Sequence, residues 1–348
     1  MWQHEITQPI PLLNENGELT QAGWARKPYP VYQRNAVKAS SLRLKEWDYY
    51  LVSNSRFALA LTVADNGYMG LDSISLLDFE TGRQITKSPM RALPLGHTGL
   101  PASADHGVTA SSGKGYGLTF LHTDGKELGP ARQLVFRMDN FWEGKIIQGS
   151  VTLFAQPEES MVICTPFDKP GHFYYNRKIN CLRASGTVEL GEETYRFDPA
   201  QSFAVLDWGR GVWTYKNTWY WSSASGLMEG EPFGFNLGYG FGNCSAATEN
   251  ALIFGGKVHK LSHVKFHIPG KPGREDWLSP WTFTSDNGRL EMEFAPILDR
   301  AACTDLKVLK SDQHQVFGRF TGRAVLDDGR VLEFRDLTGF AEKVVNKW

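Results

Sequence analysis

The stretch Asp207-Trp208-Gly209-Arg210-Gly211-Val212-Trp213 sets an acid beside an indole and an arginine between two glycines. A carboxyl turned into a barrel loses hydration, which raises its pKa and suits it to proton donation. Arg210 would either hold Asp207 ionised or bind a substrate carboxylate through two parallel hydrogen bonds. The plainer alternative is a strand-ending turn tied by an Asp–Arg pair, with Trp208 in the core. Trp213, Tyr215, Trp219 and Trp221 share one parity, so an extended stretch puts them on one face. Such a stripe either fills a core or walls a pocket for a sugar ring or an apolar ligand. From Phe233 to Gly242 the chain alternates strictly, with Phe233, Phe235, Leu237, Tyr239 and Phe241 opposite Gly234, Asn236, Gly238, Gly240 and Gly242. A glycine face admits another backbone or a ligand, or else serves tight curvature. Asn236 is its one polar side chain. Glu46, Asp48, Asp65, Asn66 and Tyr68 form a further acid-and-aromatic group, equally well explained as solvated strand ends and turn caps.

Other chemistries find no support. His259, His263 and His267 recur every fourth residue, but Val258, Val264, Phe266 and Ile268 mark that segment as a strand. Four strand residues span ~13 Å, too far for a shared zinc ion, so no metal or other cofactor is expected. Gly107 to Gly115 misses a P-loop by one residue and ends in Gly, and Gly238 to Gly242 has the wrong spacing for a dinucleotide fingerprint. There is no Gly-x-Ser-x-Gly elbow. Cys164, Cys181, Cys244 and Cys303 are scattered and read as reduced thiols, not a disulfide framework. With 37 Lys+Arg against 38 Asp+Glu, the net charge of −1 argues against nucleic acid. No apolar run reaches the ~18 residues of a membrane span. The first residues show no signal-peptide pattern, so a cytoplasmic protein is expected. The oligomeric state is not legible.

The elements that position these residues are strands. Turn signals recur at Asn16-Gly17, Asn66-Gly67, Asp124-Gly125, Gly255-Gly256, Asn287-Gly288 and Asp328-Gly329. Between them lie short alternating stretches rich in Val, Thr, Phe, Tyr and Trp, as in hairpin-joined antiparallel sheets. No segment carries a convincing helical stripe; Ala301 to Lys310 reads as either a helix or a strand. The chain of 348 residues is long enough for two cores. Expected are an extended N-terminal arm over 1–33, rich in proline, and two all-β domains over 34–175 and 176–348. Closure into barrels or strong curvature would remove exposed sheet edges.

The motifs Lys45-Glu46-Trp47-Asp48-Tyr49-Tyr50, Gly67-Tyr68-Met69-Gly70, Asp207-Trp208-Gly209-Arg210-Gly211, Asn236-Leu237-Gly238-Tyr239-Gly240 and Thr248-Glu249-Asn250 resemble a bacterial domain-of-unknown-function family, number twenty-eight-oh-four. The resemblance runs from about Arg34 to Trp348. More distantly, Gly186-Thr187-Val188, Gly191, Tyr195, Asp207-Trp208-Gly209 and Gly339-Phe340-Ala341-Glu342 are similar to the two-barrel lipocalin-like superfamily of carotenoid hydratases, kievitone hydratase, AttH proteins and Diels–Alder cyclases. That resemblance implies two consecutive calycin-type barrels with a ligand cavity in or between them. It also implies an acid that protonates an alkene at the position of Asp207. The Trp-Gly-Arg-Gly that follows departs from the pattern.

The expected function is a lyase- or isomerase-type general-acid enzyme, a hydratase, isomerase or cyclase, acting on an apolar alkene-containing small molecule. Asp207 would be the acid, and Arg210 would orient an anionic group or tune it. Trp208, Trp213, Trp219, Trp221 and Tyr239 would shape the cavity, joined by Asn236, Glu249, Asp48 and Tyr68. One alternative is a non-catalytic lipocalin-like carrier of a hydrophobic ligand. Another is a carbohydrate-active enzyme pairing Asp207 with Glu249 or Asp48.

Overall fold

The computed structural model describes residues 3–125, 129–306 and 309–347. Among these there is no α-helix, and the strands gather into two large antiparallel sheets. Eight strands carry the site: β1 (Leu44–Ser53), β2 (Phe173–Leu190), β3 (Phe203–Val212), β4 (Lys216–Met228), β5 (Glu231–Tyr239), β6 (Leu290–Leu306), β7 (Leu309–Val325) and β8 (Val331–Lys347). In the first sheet β1, β3 and β2 lie side by side, continued on one flank by Phe57–Asp65 and on the other by Lys145–Phe154. In the second the order is β5, β4, β8, β7, β6. Of the segment read as either helix or strand, Ala301 to Leu306 lies in β6 and Leu309 and Lys310 in β7, paired as strands; residues 307 and 308 lie outside the described residues. All-β architecture with two curled sheets is therefore what the turn and alternation signals describe.

The sheets divide at residues 213–215, between β3 and β4. The boundary expected at 175/176 falls inside β2, which pairs with β3 and closes the first sheet. Proline and glycine at 170–171 mark only the turn into that strand. Residues 3–33 are not a free arm. Gly23–Ala25 adds a strand to Met161–Pro166, and Ile6, Leu12, Leu13, Trp24 and Tyr32 are buried.

Each sheet curls round its own core. Leu206, Trp208 and Val212 of β3 enter the first, with Tyr50, Phe120, Leu134 and Phe173. Phe233, Phe235 and Leu237 of β5 enter the second, with Trp281, Phe283, Phe294 and Phe320. The opposite faces pack against each other. Tyr49, Leu51 and Val205 meet Trp221, Phe317 and Phe340 on one side of this interface. Trp24, Tyr174, Cys181 and Trp213 meet Phe241, Ala251 and Ile253 on the other. Because strand side chains alternate in direction, every second residue of β1, β2 and β3 belongs to this inter-sheet layer.

Candidate functional site between the two sheets

The register fixes the site's rows. Tyr49, Asp207 and Lys178 are cross-strand neighbours on β1, β3 and β2, and Trp47, Gly209 and Asn176 form the next row. Facing them, Gly238, Trp221, Glu342, Gln315 and Arg300 line up across β5, β4, β8, β7 and β6. Two polar rows thus meet inside an otherwise aromatic layer.

Asp207 spends both carboxylate oxygens on donors. Oδ1 accepts from the Asn176 amide, and Oδ2 lies 2.9 Å from Lys178 Nζ. That ammonium also stands 3.8 Å from the centroid of the Trp221 ring. Glu342 is held by the Trp219 indole N–H and the Gln315 amide, each at 2.9 Å. Burial pushes its carboxyl up to about 7, against the pull of Trp219, Arg300 and Lys178. Glu249 differs. Among the described residues its side chain accepts one hydrogen bond, a long one of 3.5 Å from Asn236 Nδ2 to Oε2. Burial raises its pKa, and the Asp207 charge raises it further against Lys178. Glu249 keeps some accessible surface although its carboxyl is desolvated. Trp47 and Trp219 are likewise half-buried, and Asp207 retains 8% exposure. Trp213 stands edge-on to Trp47, Trp219 and Phe241, while Tyr174 stacks on Trp47. Aromatic rings and carboxyls therefore share the layer between the sheets.

The glycine face of β5 has a specific use. Gly234, Asn236 and Gly238 point at the first sheet. A Cβ on Gly238 would stand 2.4 Å from Glu249 Oε1, so the missing side chain is the seat of that carboxyl. The Trp221 indole N–H donates to Asn236 Oδ1 at 2.8 Å, and Asn236 Nδ2 donates to the Glu249 carbonyl oxygen at 2.8 Å. Gly240 and Gly242 lie beyond the strand with positive φ and belong to its turn. Because only the end of a flexible side chain is displaced, Gly238→Ala is expected to fold normally. The strand gains roughly 0.5 kcal/mol from losing a glycine. The Glu249 carboxyl is moved, so thermal melting should stay near wild type while turnover falls; an unchanged turnover would show that Glu249's position is immaterial.

Of the residues singled out by sequence, Asp207, Trp213, Trp219, Trp221, Asn236 and Glu249 come together here. Trp208, Arg210 and Asp48 do not. They have the opposite parity and point into the first core, where Arg210 is fully buried and lies 3.1 Å from Asp48 Oδ1. Arg210 therefore neither tunes Asp207 nor meets a ligand beside it, and an Asp207–Asp48 pair is ruled out for sugar chemistry. Tyr239 sits in the second core, stacked on Tyr220 at 4.5 Å. Tyr215 leaves the aromatic stripe at the turn between the sheets and is exposed. Tyr68 lies under Lys45 at one end of the inter-sheet layer, 4.3 Å from ring centroid to Nζ. Sequence reasoning assigned no role to Lys178, Asn176, Tyr49, Gln315 or Glu342. The signal for Glu342 was present: it interrupts the apolar alternation Phe340, Val344 on β8.

Glu342 carries a pH prediction. Its folded-state value, about 7, exceeds the ordinary 4.5, so the buried neutral form is the stabilising one. That stabilisation is complete below pH 4.5 and is lost as pH rises through about 7. The amount is roughly 3 kcal/mol by linkage. Urea unfolding across this range should show stability falling with pH in wild type and a flatter profile in Glu342→Gln. Parallel profiles would place the titration elsewhere.

Two curled antiparallel sheets packed face to face make up the fold, and solved structures share it. Kievitone hydratase from Nectria haematococca matches at 11% identity and TM-score 0.52, over 97% of this chain and 98% of its own. A putative AttH from Nitrosomonas europaea matches at 14% identity and TM-score 0.51, over 91% of this chain and 98% of its own. CghA overlaps at 11% identity with TM-score 0.48, over 98% of this chain and 94% of its own. No curated protein is matched by sequence. The chain belongs to the domain of unknown function family DUF2804, whose model matches residues 3–348.

Proposed function

We propose that the protein is a general-acid enzyme of the hydratase, isomerase or cyclase kind, acting on a largely apolar, unsaturated small molecule held between the sheets. The observation that carries this reading is Glu249: a carboxyl whose pKa burial raises, held among the described residues by one long side-chain hydrogen bond, in the layer that also carries Trp47 and Trp219. Its proton would go to one alkene carbon, breaking the π bond and leaving a cation on the other. The Trp47 and Trp219 ring faces stabilise that cation. In hydration, water forms the new C–O bond and returns its proton to the Glu249 carboxylate, so atoms and charge balance. Lys178 pairs with Asp207, and burial together with the Asp207 charge favours the protonated form of Glu249 against the pull of Lys178. The acid expected at Asp207 is thereby moved to Glu249, because Asp207 has no oxygen to spare. Sharing its fold with a protein named a hydratase supports the reading without fixing the reaction.

The test is incubation with unsaturated apolar molecules in deuterated water, read by mass spectrometry. Enzyme-dependent deuterium at carbon, or gain of the mass of water, is the expected result. Tight binding of those molecules with no exchange would make the protein a carrier instead.

A further inference from the structure

One end of the inter-sheet space is cationic. Lys45 precedes Trp47 and Tyr49 on the same face of β1, opposite the bare Gly211 of β3. Gly211 lies against the Trp213 indole, where an added Cβ would come within 3.0 Å of Nε1. Arg43 reaches the same place: its Nη2 donates to the Trp213 carbonyl oxygen at 2.7 Å. Among the described residues Arg43 forms no ion pair, so further N–H groups of its fork remain unspent. Its charge is felt at both Lys45 and Tyr68, and with burial it brings the Lys45 ammonium down to about 7. Lys45 Nζ donates to the Asn66 carbonyl oxygen at 3.2 Å, and Asp65, whose charge it feels, accepts from Gly67 N at 3.0 Å and from Gly96 N and Thr98 Oγ1 at 2.8 Å each. His172 feels both Lys169 and Arg43, which with burial lower its pKa, so it adds no negative charge. The Tyr68 hydroxyl is buried with no hydrogen-bond partner. The Arg43 guanidinium, the Lys45 amine and the Tyr68 hydroxyl thus stand together at the end of the aromatic layer.

We infer that this end is an anion subsite, in which Arg43, Lys45 and the Tyr68 hydroxyl hold the carboxylate of an otherwise apolar, unsaturated substrate. The inference rests on the reading of the inter-sheet space as the substrate site and adds the head group to it. Arg43 supplies a planar fork suited to a carboxylate, and Tyr68 a further donor. Four residues of extended chain separate Lys45 from Tyr49, so the carboxylate lies ~13 Å from the row bearing Asp207. The substrate is therefore an unsaturated acid whose double bond lies well down its chain, not one conjugated with the carboxyl. The anionic group that sequence reasoning assigned to Arg210 finds its partners one row along, on the opposite face of the sheet.

The experiment measures binding, independently of turnover, by quenching of tryptophan fluorescence. The probes are oleate, methyl oleate and oleyl alcohol, which share a chain and differ in head group. Wild type is expected to bind oleate at least tenfold more tightly than either neutral probe. Arg43→Met should abolish that preference while leaving affinity for the alcohol within twofold, and Lys45→Met should reduce it. Equal affinities in wild type overturn the inference without reference to any variant. So does a preference that survives in both variants, with melting curves showing them folded. An acid preference lost in Arg43→Met but unaccompanied by deuterium exchange would sink the catalytic reading and leave the subsite standing. Binding of none of the three probes would end both.

Discussion

Glu249→Gln is expected to abolish proton transfer to carbon while leaving ligand binding intact. The amide keeps the shape of the carboxyl and its seat over Gly238, so the aromatic walls are undisturbed. What is lost is the transferable proton, an effect of about 10²–10⁴-fold for a general acid. Deuterium incorporation at a fixed ligand saturation is the measurement. The choice of Glu249 over its neighbours rests on oxygens. Both of Asp207's are spent on Asn176 and Lys178, and both of Glu342's on Trp219 and Gln315. Asp207→Asn should have a smaller effect, since it removes only the charge that helps raise Glu249. Activity within tenfold of wild type in Glu249→Gln would take the acid's role from it. The Glu342→Gln variant would then be decisive, because Glu342 is a second carboxyl of the inter-sheet layer raised by burial.

The sequence made the strands legible because their signals are local: a turn dipeptide, then alternation, then another turn. It also placed Trp219 and Trp221 on one face of β4, and Asn236 and Gly238 on one face of β5. Parity could not say which face met the other sheet. Asp207 and Arg210 differ by three positions and must diverge on a strand, so treating them as one site joined two faces. That choice is settled by pairing with β1, more than 150 residues earlier in the chain. Lys178 escaped notice for a related reason. Both faces of β2 carry polar groups, with Asn176 and Lys178 turned to the inter-sheet layer and Arg177 turned to Ser160 and Asp105. A strand buried on both sides has no polar face to read as solvent-exposed. The division of the sheets at residues 213–215 was hidden by the same non-locality, since β2 and β3 close a sheet that begins near Leu44.

Arg210 shows what the other face of β3 is for. Its guanidinium has no exposure and donates to the backbone oxygens of Trp47 and Gly209 at 2.8 Å and of Pro101 at 2.7 Å. It pairs with Asp48, lies 3.7 Å from Glu46 Oε1 and packs 4.0 Å over the Trp208 ring. Arg210→Met would leave Glu46 to Arg34 and Tyr32, and Asp48 to Thr109, inside the first core. Stranding buried charge in this way costs about 3–5 kcal/mol. Urea unfolding should show a loss of that size, partly restored by adding Asp48→Asn. Arg210→Lys should not restore it, because an ammonium cannot reproduce the planar fork. In folded protein below the midpoint, the preference for oleate over its alcohol should persist, since Arg210 faces away from the inter-sheet space. A loss under ~1 kcal/mol together with a vanished acid preference would return Arg210 to the binding site. If the stability loss appears alone, β3 separates two tasks by parity: Asp207 and the glycines beside it shape the site, and Arg210 pins the sheet that holds them in place.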